Sequence, residues 1–329
     1  MEMEMEEKRV CVTGAGGFLG SWIVKLLLSK GYIVHGTVRE PGDKKYAHLN
    51  KLERASDNLK LFKADLLDYD SLRSAIAGCP GVIHVACPVP TSPLVNPEVE
   101  MLEPAIKGTH NVLRACFEAK VKRVVYISSI TAVMLNPKWP KDRVKDETCW
   151  SDKEYCRAAG NWYMLAKTEA ESLAFEFGKK NGLDIVAVNP GYVFGPVLQP
   201  TLNFSSLLLL QFVKGTYITF EQGEGDSVPN KIWNIVDVRD VADAVLLAYE
   251  KPEAKGRYIC VSDNITTEDL VKKLKSLYPD FSYLHNFVES RHNFLMTSEK
   301  LQKLGWTYRP LQEMLVDSIE NYREAALLD

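Results

Sequence analysis

Residues 9–20 read RVCVTGAGGFLG, an apolar run followed at once by glycines at positions 14, 17 and 20. Gly14 permits a tight turn after a strand, Gly17 lets the backbone approach a pyrophosphate, and Gly20 allows a helix to pack closely on that strand. The helix that follows offers its first N–H groups and the positive end of its dipole to phosphate. The stretch therefore predicts a β-α-β unit that binds a dinucleotide.

Strands and helices alternate from this unit to Pro190, a pattern that favours a parallel sheet with crossover helices. Three of the helices are predicted over residues 45–55, 98–119 and 155–180. We predict an α/β fold, a Rossmann-type doubly wound parallel sheet with a smaller C-terminal substrate-binding lobe. The nucleotide-binding domain is expected at residues 1–190, with return segments at about 230–260. The lobe is expected at residues 191–229 and 261–329.

The bulk composition of the chain is that of an ordinary globular protein. It has 329 residues, 46% of them hydrophobic and 25% charged, with a formal net charge of −3. This gives no electrostatic reason to expect a nucleic-acid partner. The apolar run near residues 207–210 is far shorter than the roughly 20 residues that span a bilayer. The acidic residues 1–7 fit neither a secretory signal nor a transit peptide, and we expect them to be frayed.

The cysteines indicate a reducing compartment. There are seven, an odd number, and most stand singly. Such usage is typical of reduced thiols, and we expect a cytoplasmic protein. The sequence has no CxxC pair and no histidine cluster, so no metal site is predicted.

Two cations decide which dinucleotide is expected. Arg39 follows the second strand, where a carboxylate would accept from a ribose 2′-OH and repel a 2′-phosphate. Lys45 adds a second cation nearby, so the sequence favours NADPH over NADH. Asp65 and Leu66 follow the third strand. They are positioned either to bracket the adenine or, for Asp65, to cap the next helix.

Three polar residues form the candidate catalytic set. Tyr163 and Lys167 are four apart on a predicted helix and therefore share a face, while Ser129 ends the fifth strand, whose carboxyl edge faces a cofactor cleft. Hydride transfer to a carbonyl creates an alkoxide that needs hydrogen bonds and a proton. Ser129 can polarise the oxygen and Tyr163 can donate the proton. Lys167, as an ammonium, is expected to bring the phenol pKa closer to working pH.

Four motifs together, GAGGFLG, ISSI, NWYMLAK and VNPGYVFGP, resemble the extended short-chain dehydrogenase/reductase family over nearly the whole chain. A plant branch of this family, the cinnamoyl-CoA reductase-like and dihydroflavonol reductase-like enzymes, is resembled more narrowly by two stretches of the chain. These are residues 147–171, around Tyr163, and residues 195–206, GPVLQPTLNFSS. The resemblance implies an NADPH-dependent reductase of small aromatic, phenylpropanoid-type carbonyl compounds or their CoA thioesters. It implies a nicotinamide site at residues 190–193. The predicted cofactor-binding residues are Gly14, Gly17, Phe18, Leu19, Gly20, Arg39, Lys45, Asp65, Leu66, Ala86, Tyr163, Lys167, Pro190 and Val193.

The substrate is less sharply defined by the sequence. Cinnamoyl-CoA reductases carry a histidine and a lysine implicated in CoA binding, where this chain has Leu208 and Gln211; Lys214 could replace one of them. The third member of that set is kept as Arg257. The pocket is expected between the Pro-rich residues 88–97, residues 131–134 and residues 192–194. The candidate substrate residues are therefore Met134, Tyr192 and Arg257.

Several alternatives stay open. An NAD-dependent sugar-nucleotide epimerase shares the glycine loop and the Tyr/Lys pair, and a dinucleotide sensor shares the loop alone. The resemblance to the plant branch implies a possible disulfide between Cys149 and Cys156, whereas a reducing cytosol favours two thiols. The sequence gives no oligomeric state.

Overall fold

The computed structural model describes residues 8–87, 94–216, 227–290 and 293–328. Its strands are β1 (Arg9–Thr13), β2 (Ile33–Val38), β3 (Leu59–Lys63), β4 (Gly81–His84), β5 (Arg123–Ile127), β6 (Asp184–Pro190), β7 (Tyr192–Phe194), β8 (Val228–Asn230), β9 (Ile232–Asp237), β10 (Gly256–Cys260), β11 (Asp263–Thr266) and β12 (Phe287–Glu289).

The helices alternate with these strands through most of the chain. They are α1 (Phe18–Ser29), α2 (Ala47–Asn50), α3 (Ala55–Asn58), α4 (Tyr69–Ile76), α5 (Glu103–Glu118), α6 (Thr131–Met134), α7 (Lys153–Ala158), α8 (Trp162–Asn181), α9 (Phe204–Lys214), α10 (Val238–Glu250), α11 (Thr267–Leu277), α12 (Glu299–Lys303) and α13 (Leu311–Glu324). A 3₁₀ turn at Lys44–Tyr46 precedes α2, and a π-helical turn at Glu98–Leu102 leads into α5.

Seven parallel strands form the main sheet, in the order β10-β6-β5-β4-β1-β2-β3. The order reverses between β1 and β4, and in such sheets ligands bind at this point, beyond the carboxyl ends of the strands. The central strands are almost entirely buried, as parallel strands covered on both faces must be. The predicted Rossmann-type fold is confirmed.

Helices cover both faces of the sheet. One face carries α1 and α10, whose apolar sides meet the strands in a core that includes Ile23, Leu27, Val241 and Val245. The opposite face carries α4, α5 and α8 in a second core. The main sheet is therefore the middle of three layers.

A third core lies under the later part of the chain. It joins α9, α11 and α13 to the small sheet β11-β9-β7 around Phe194, Phe212 and Trp233. The division into domain and lobe stays a prediction, but one detail differs from it. Strand β9, expected among the segments that return to the main domain, pairs with β7 and β11, whereas β10 does join the main sheet beside β6.

Two predicted helices are divided in the structure. The helix expected over residues 155–180 is α7 followed by α8, because Gly160 adopts φ +67° and Asn161 N–H returns to the Cys156 carbonyl, which closes α7. The charged helix expected over residues 45–55 is a 3₁₀ turn and the short helix α2, with Arg54 at φ +62°.

Some expectations concern segments outside the described residues: the frayed start at residues 1–7 and most of the Pro-rich pocket wall at 88–97. Among the described helices, none has the length and apolar character that crossing a bilayer requires. Nor do the described ranges contain a cluster of three potential metal ligands.

Candidate functional site

A cleft of about 730 Å³ lies at the reversal point of the main sheet. Every predicted cofactor-binding residue and all three predicted catalytic residues line it, from the glycine loop through Arg39 and Ala86 to Ser129 and Val193. Met134, Tyr192 and Arg257, the predicted substrate residues, do not line it. The structure thus brings the proposed cofactor and catalytic groups together, while their roles stay predictions.

The glycine loop has close contacts at two of its three glycines. Gly14 adopts φ +68°, and its N–H donates to Thr37 Oγ1 at 3.1 Å. A Cβ on Gly20 would lie 2.2 Å from the Gly14 carbonyl oxygen, so no side chain fits there. A Cβ on Gly17 would meet only that same oxygen, at 3.5 Å. Gly17 therefore leaves open space at the N-terminus of α1, which suits a phosphate group.

Thr13 and His84 are buried at the carboxyl ends of the neighbouring strands β1 and β4. Thr13 Oγ1 accepts the N–H groups of Val85 and Ala86, both at 3.1 Å, and lies 2.8 Å from His84 Nδ1. Since two N–H donors occupy its lone pairs, the hydroxyl donates its hydrogen to Nδ1. His84 is then neutral with its proton on Nε2. Burial, and next the charge of Lys167, lower the pKa of His84 to about 3, which agrees with that form.

Tyr163 and Lys167 point from α8 toward the end of β5. The Ser129 side chain lies close enough to Tyr163 to lower the pKa of its phenol. Lys167 is buried, 4% exposed, and its Nζ donates to the Ile127 carbonyl at 3.2 Å. Ser129 Oγ also accepts the Thr131 N–H at 3.2 Å. The phenol, the hydroxyl and the ammonium therefore converge on one side of the cleft.

The protonation states suit a proton donor. Burial raises the pKa of Tyr163, and Lys167 opposes that shift only in part. The net shift is opposite to the one the sequence predicts, because desolvation of the phenolate outweighs the charge of Lys167. For Lys167 itself, burial lowers the pKa, but Cys87, Tyr163 and Tyr126 raise it above its usual value overall. The pair is therefore a phenol beside an ammonium.

The opposite end of the cleft carries the predicted 2′-phosphate cations. Arg39 is exposed there, and Lys45 Nζ lies 3.0 Å from Asp43 Oδ2. Tyr46 packs its ring so closely on Gly16 that a Cβ at position 16 would be 2.2 Å from it. His48 bonds the Lys45 carbonyl and Ser21 Oγ, and so ties this segment to α1.

Asp65 is not the cap of the next helix. Its Oδ1 accepts the Leu67 N–H at 2.8 Å in a local turn, and Asp68 caps α4 by accepting the Ser71 N–H. Asp65 and Leu66 line the cleft instead. Of the two alternatives for Asp65, the capping role is excluded.

The residues expected to contact substrate do not line the cleft. Met134 and Tyr192 pack beside Trp139 against a small apolar cluster, and Tyr192 also meets Trp233 of the third core, with ring centroids 4.7 Å apart. Arg257 is 6% exposed and is held by Glu171 and by three backbone carbonyls, so its predicted substrate role is not supported. Leu208 is 2% exposed inside the third core, and Lys214 Nζ donates to the Leu327 carbonyl.

Cys149 and Cys156 are both thiols in the structure. Cys149 Sγ lies 3.1 Å from the Val133 carbonyl oxygen, in one apolar cluster. Cys156, on α7, belongs to a different apolar cluster. The pair lies before α8, the helix that carries Tyr163 and Lys167, which begins only at Trp162.

Several residues at the site escaped sequence reasoning. Glu171 continues the face of α8 that carries Tyr163 and Lys167, and Asn189 directly precedes the predicted nicotinamide segment. Both are fully buried. The four-residue spacing from Lys167 to Glu171 was a usable signal, but their partners come from strands far away in sequence.

Known proteins that are similar to this chain in sequence or structure agree with a dinucleotide cleft at this place. A sequence profile of the NAD dependent epimerase/dehydratase family matches residues 10–261. The chain belongs to this family. Within the epimerase/dehydratase family, cinnamoyl-CoA reductase 1 of Petunia hybrida is 44% identical over 319 residues, covering 96% of this chain and 92% of the relative.

Two solved structures extend the comparison. Vestitone reductase from alfalfa (Medicago sativa L.) is 33% identical with a TM-score of 0.82, covering 97% of this chain and 99% of that one. Yeast methylglyoxal/isovaleraldehyde reductase Gre2, solved in complex with NADPH, is 26% identical with a TM-score of 0.81, covering 96% and 98%. The predicted kinship with plant reductases of this family is confirmed.

Proposed function

We propose that this protein is an NADPH-dependent oxidoreductase that reduces the carbonyl group of a small aromatic, phenylpropanoid-type compound. The observation that carries the proposal is the convergence of Tyr163, Ser129 and buried Lys167 on the cleft that the glycine loop borders. The relatives named above are reductases, and one of them was solved with NADPH, which supports the oxidoreductase class and the cofactor.

Bound NADPH supplies the hydride that the carbonyl carbon receives. The Ser129 hydroxyl donates a hydrogen bond to the carbonyl oxygen, and Tyr163 Oη gives its proton to the oxygen as negative charge develops. The Lys167 ammonium then stabilises the tyrosinate that remains. The raised pKa of Tyr163 keeps the phenol protonated before turnover.

The choice of cofactor gives a direct test of Arg39. Arg39→Ala should raise the Kd for NADPH by roughly 10- to 100-fold, because a charge-assisted hydrogen bond contributes about 1.5–3 kcal/mol. The Kd for NADH should change little. Lys44→Ala is the matched control, since Lys44 is an exposed cation on the same segment that does not line the cleft. Equal loss of NADPH and NADH binding would contradict the assignment; nucleotide fluorescence titration measures both.

The proposed substrate is an uncharged aldehyde or ketone rather than a CoA thioester. Among the described residues that line the cleft, the cations are Arg39, Lys45 and Lys167, and the first two are assigned to the cofactor. Leu208 is buried, and Arg257 is fully engaged inside the protein. Among the described residues of the cleft lining, no cation is therefore left to bind the phosphates of CoA.

A substrate panel tests this proposal. Purified protein is given NADPH with coniferaldehyde, phenylacetaldehyde, a dihydroflavonol or feruloyl-CoA, and the loss of reduced nicotinamide is followed. We expect kcat/KM for at least one uncharged carbonyl to exceed that for feruloyl-CoA. Preference for feruloyl-CoA would contradict the uncharged substrate and leave the reductase intact. Oxidation of NADPH by none of the four would contradict the phenylpropanoid assignment.

The alternative of a sugar-nucleotide epimerase is weaker. The family profile covers epimerases as well, but the cleft offers Arg39 and Lys45 for a 2′-phosphate, which an NAD-dependent epimerase does not need. A sensor without chemistry would have no use for Tyr163 and Ser129 beside a buried ammonium at the cleft. Turnover of any panel substrate excludes the sensor.

The partner and the compartment are proposed on separate grounds. The partner is a small molecule, as for the reductase relatives. A cytoplasmic location is proposed because each of the seven cysteines keeps its thiol, as is usual in a reducing compartment.

A further inference from the structure

Glu171 is a fully buried carboxylate on α8, two turns beyond Tyr163 and one turn beyond Lys167. Its Oε2 accepts a hydrogen bond from Ser128 Oγ at 2.5 Å and another from Asn189 Nδ2 at 2.8 Å. The same Asn189 amide donates to the Ser129 carbonyl at 3.1 Å. Tyr163, Lys167 and Glu171 therefore form one stripe along α8 that faces the end of β5.

This stripe holds three consecutive residues of the chain. Lys167 binds the Ile127 carbonyl, Glu171 binds the Ser128 hydroxyl, and Asn189, itself bound to Glu171, holds the Ser129 carbonyl. These hydrogen bonds hold the backbone that carries the Ser129 hydroxyl on the side facing away from the cleft. The hydroxyl itself is left to face Tyr163 and the cleft.

Arg257 on β10 neutralises Glu171. Its Nε donates to Glu171 Oε1 at 2.5 Å, and its Nη2 reaches Oε2 at 3.5 Å. Its remaining hydrogen bonds go to the carbonyls of Ala132, Glu147 and Cys149, at 2.7 to 3.1 Å. The guanidinium also stacks on Trp150, with its carbon 3.7 Å from the ring centroid. These contacts use all five N–H groups of the guanidinium, so none is left for a ligand.

We propose that Glu171 and Arg257 are positioning residues, which set the Ser129 hydroxyl relative to Tyr163 and fasten the 132–149 segment to the catalytic helix. The inference rests on the proposed reductase function. A buried ion pair by itself is weak evidence of stabilisation, since apolar replacements are often as stable. The ion pair instead makes specific hydrogen bonds to the chain around Ser129 and, through Arg257, to the backbone of residues 132–149. These contacts indicate that the pair positions the Ser129 hydroxyl.

The test uses variants that separate geometry from stability. Glu171→Gln and Arg257→Met each leave a buried charge without its partner and should lower Tm. The double variant Glu171→Gln/Arg257→Met removes both charges, so Tm should recover toward that of the wild type. We expect kcat to remain lowered by roughly 10- to 100-fold in the double variant, because a small misplacement of reacting groups is that costly. The Kd for NADPH should stay nearly unchanged.

A matched ion pair serves as the control. Asp240 on α10 is 2% exposed and paired with Arg309, away from the cleft. Asp240→Asn should lower Tm without lowering kcat. Recovery of kcat together with Tm in the double Glu171/Arg257 variant would overturn the proposal and leave the pair a structural element only.

A second readout needs no substrate. The ionisation of Tyr163 is followed by ultraviolet difference titration, with the Tyr163→Phe protein as the blank. The Ser129 side chain lowers the pKa of Tyr163, so displacement of Ser129 in Glu171→Gln should move the midpoint to higher pH. An unchanged midpoint would contradict the positioning role. If the wild type reduces no panel substrate but the midpoint moves, the proposed function fails while the positioning role stands.

Discussion

Replacing Tyr163 by phenylalanine is expected to lower kcat by roughly 100- to 10,000-fold, the range that a positioned general acid contributes. The change removes a single hydroxyl, which is the proton donor in the proposed reaction and whose pKa the Ser129 side chain lowers. The ring remains, so packing in the apolar cluster of α8 is preserved. The Kd for NADPH and the Tm should therefore stay close to those of the wild type.

The measurement compares single-substrate kinetics with nucleotide titration on the same preparation. Tyr155→Phe is the matched control, because Tyr155 is an exposed tyrosine on the neighbouring helix α7. It should reduce substrate at the wild-type rate. If Tyr163→Phe keeps near wild-type kcat, the proton comes from another group and the proposed mechanism is wrong. If NADPH binding is lost as well, the effect is not specific to proton transfer.

The second large effect is expected from Gly20→Ala. A Cβ at position 20 would lie 2.2 Å from the Gly14 carbonyl oxygen and 3.0 Å from its carbon, and both are backbone atoms that no rotamer change can move. Helix α1 must shift away from the loop to admit the methyl group. Overpacking of this kind costs on the order of 1–3 kcal/mol. The same displacement moves the N–H groups that would hold the pyrophosphate, and we expect the Kd for NADPH to rise by about 10- to 100-fold.

Thermal unfolding and nucleotide titration measure the two consequences separately. Gly42→Ala is the control, because a Cβ there would meet no atom within 4 Å. That variant should match the wild type in both measurements. Wild-type affinity for NADPH in Gly20→Ala would mean that the loop does not hold the pyrophosphate, whatever happens to Tm.

The sequence predicted the parts of the site that local patterns encode. The glycine spacing located the loop, the strand-end position of Arg39 located the nucleotide end, and the four-residue spacing of Tyr163 and Lys167 gave their common face. Each of these depends on a few consecutive residues and on the alternation of strands and helices. The structure brings all of them to one cleft.

The parts that failed depend on contacts between distant segments. Arg257 was expected to contact substrate on the strength of the family resemblance, and nothing near it in sequence shows that β10 lies beside β6 or that Arg257 pairs with Glu171. The direction of the Tyr163 pKa shift depends on burial, which the helix pattern does not give. The break at Gly160 depends on a left-handed turn that a helical pattern of apolar residues conceals.

The position of β10 in the main sheet has a consequence for how the chain acquires its fold. This strand is translated some 65 residues after β6, yet it forms the edge of the same sheet and carries the counter-charge of a buried carboxylate. Until β10 emerges from the ribosome, β6 is an open edge and Glu171 is an unneutralised charge in a nascent core. A fragment that ends at Pro190 would contain the glycine loop, Tyr163 and Lys167 but neither β10 nor the counter-charge of Glu171. We therefore expect the native sheet to be completed only after the second half of the chain has been synthesised.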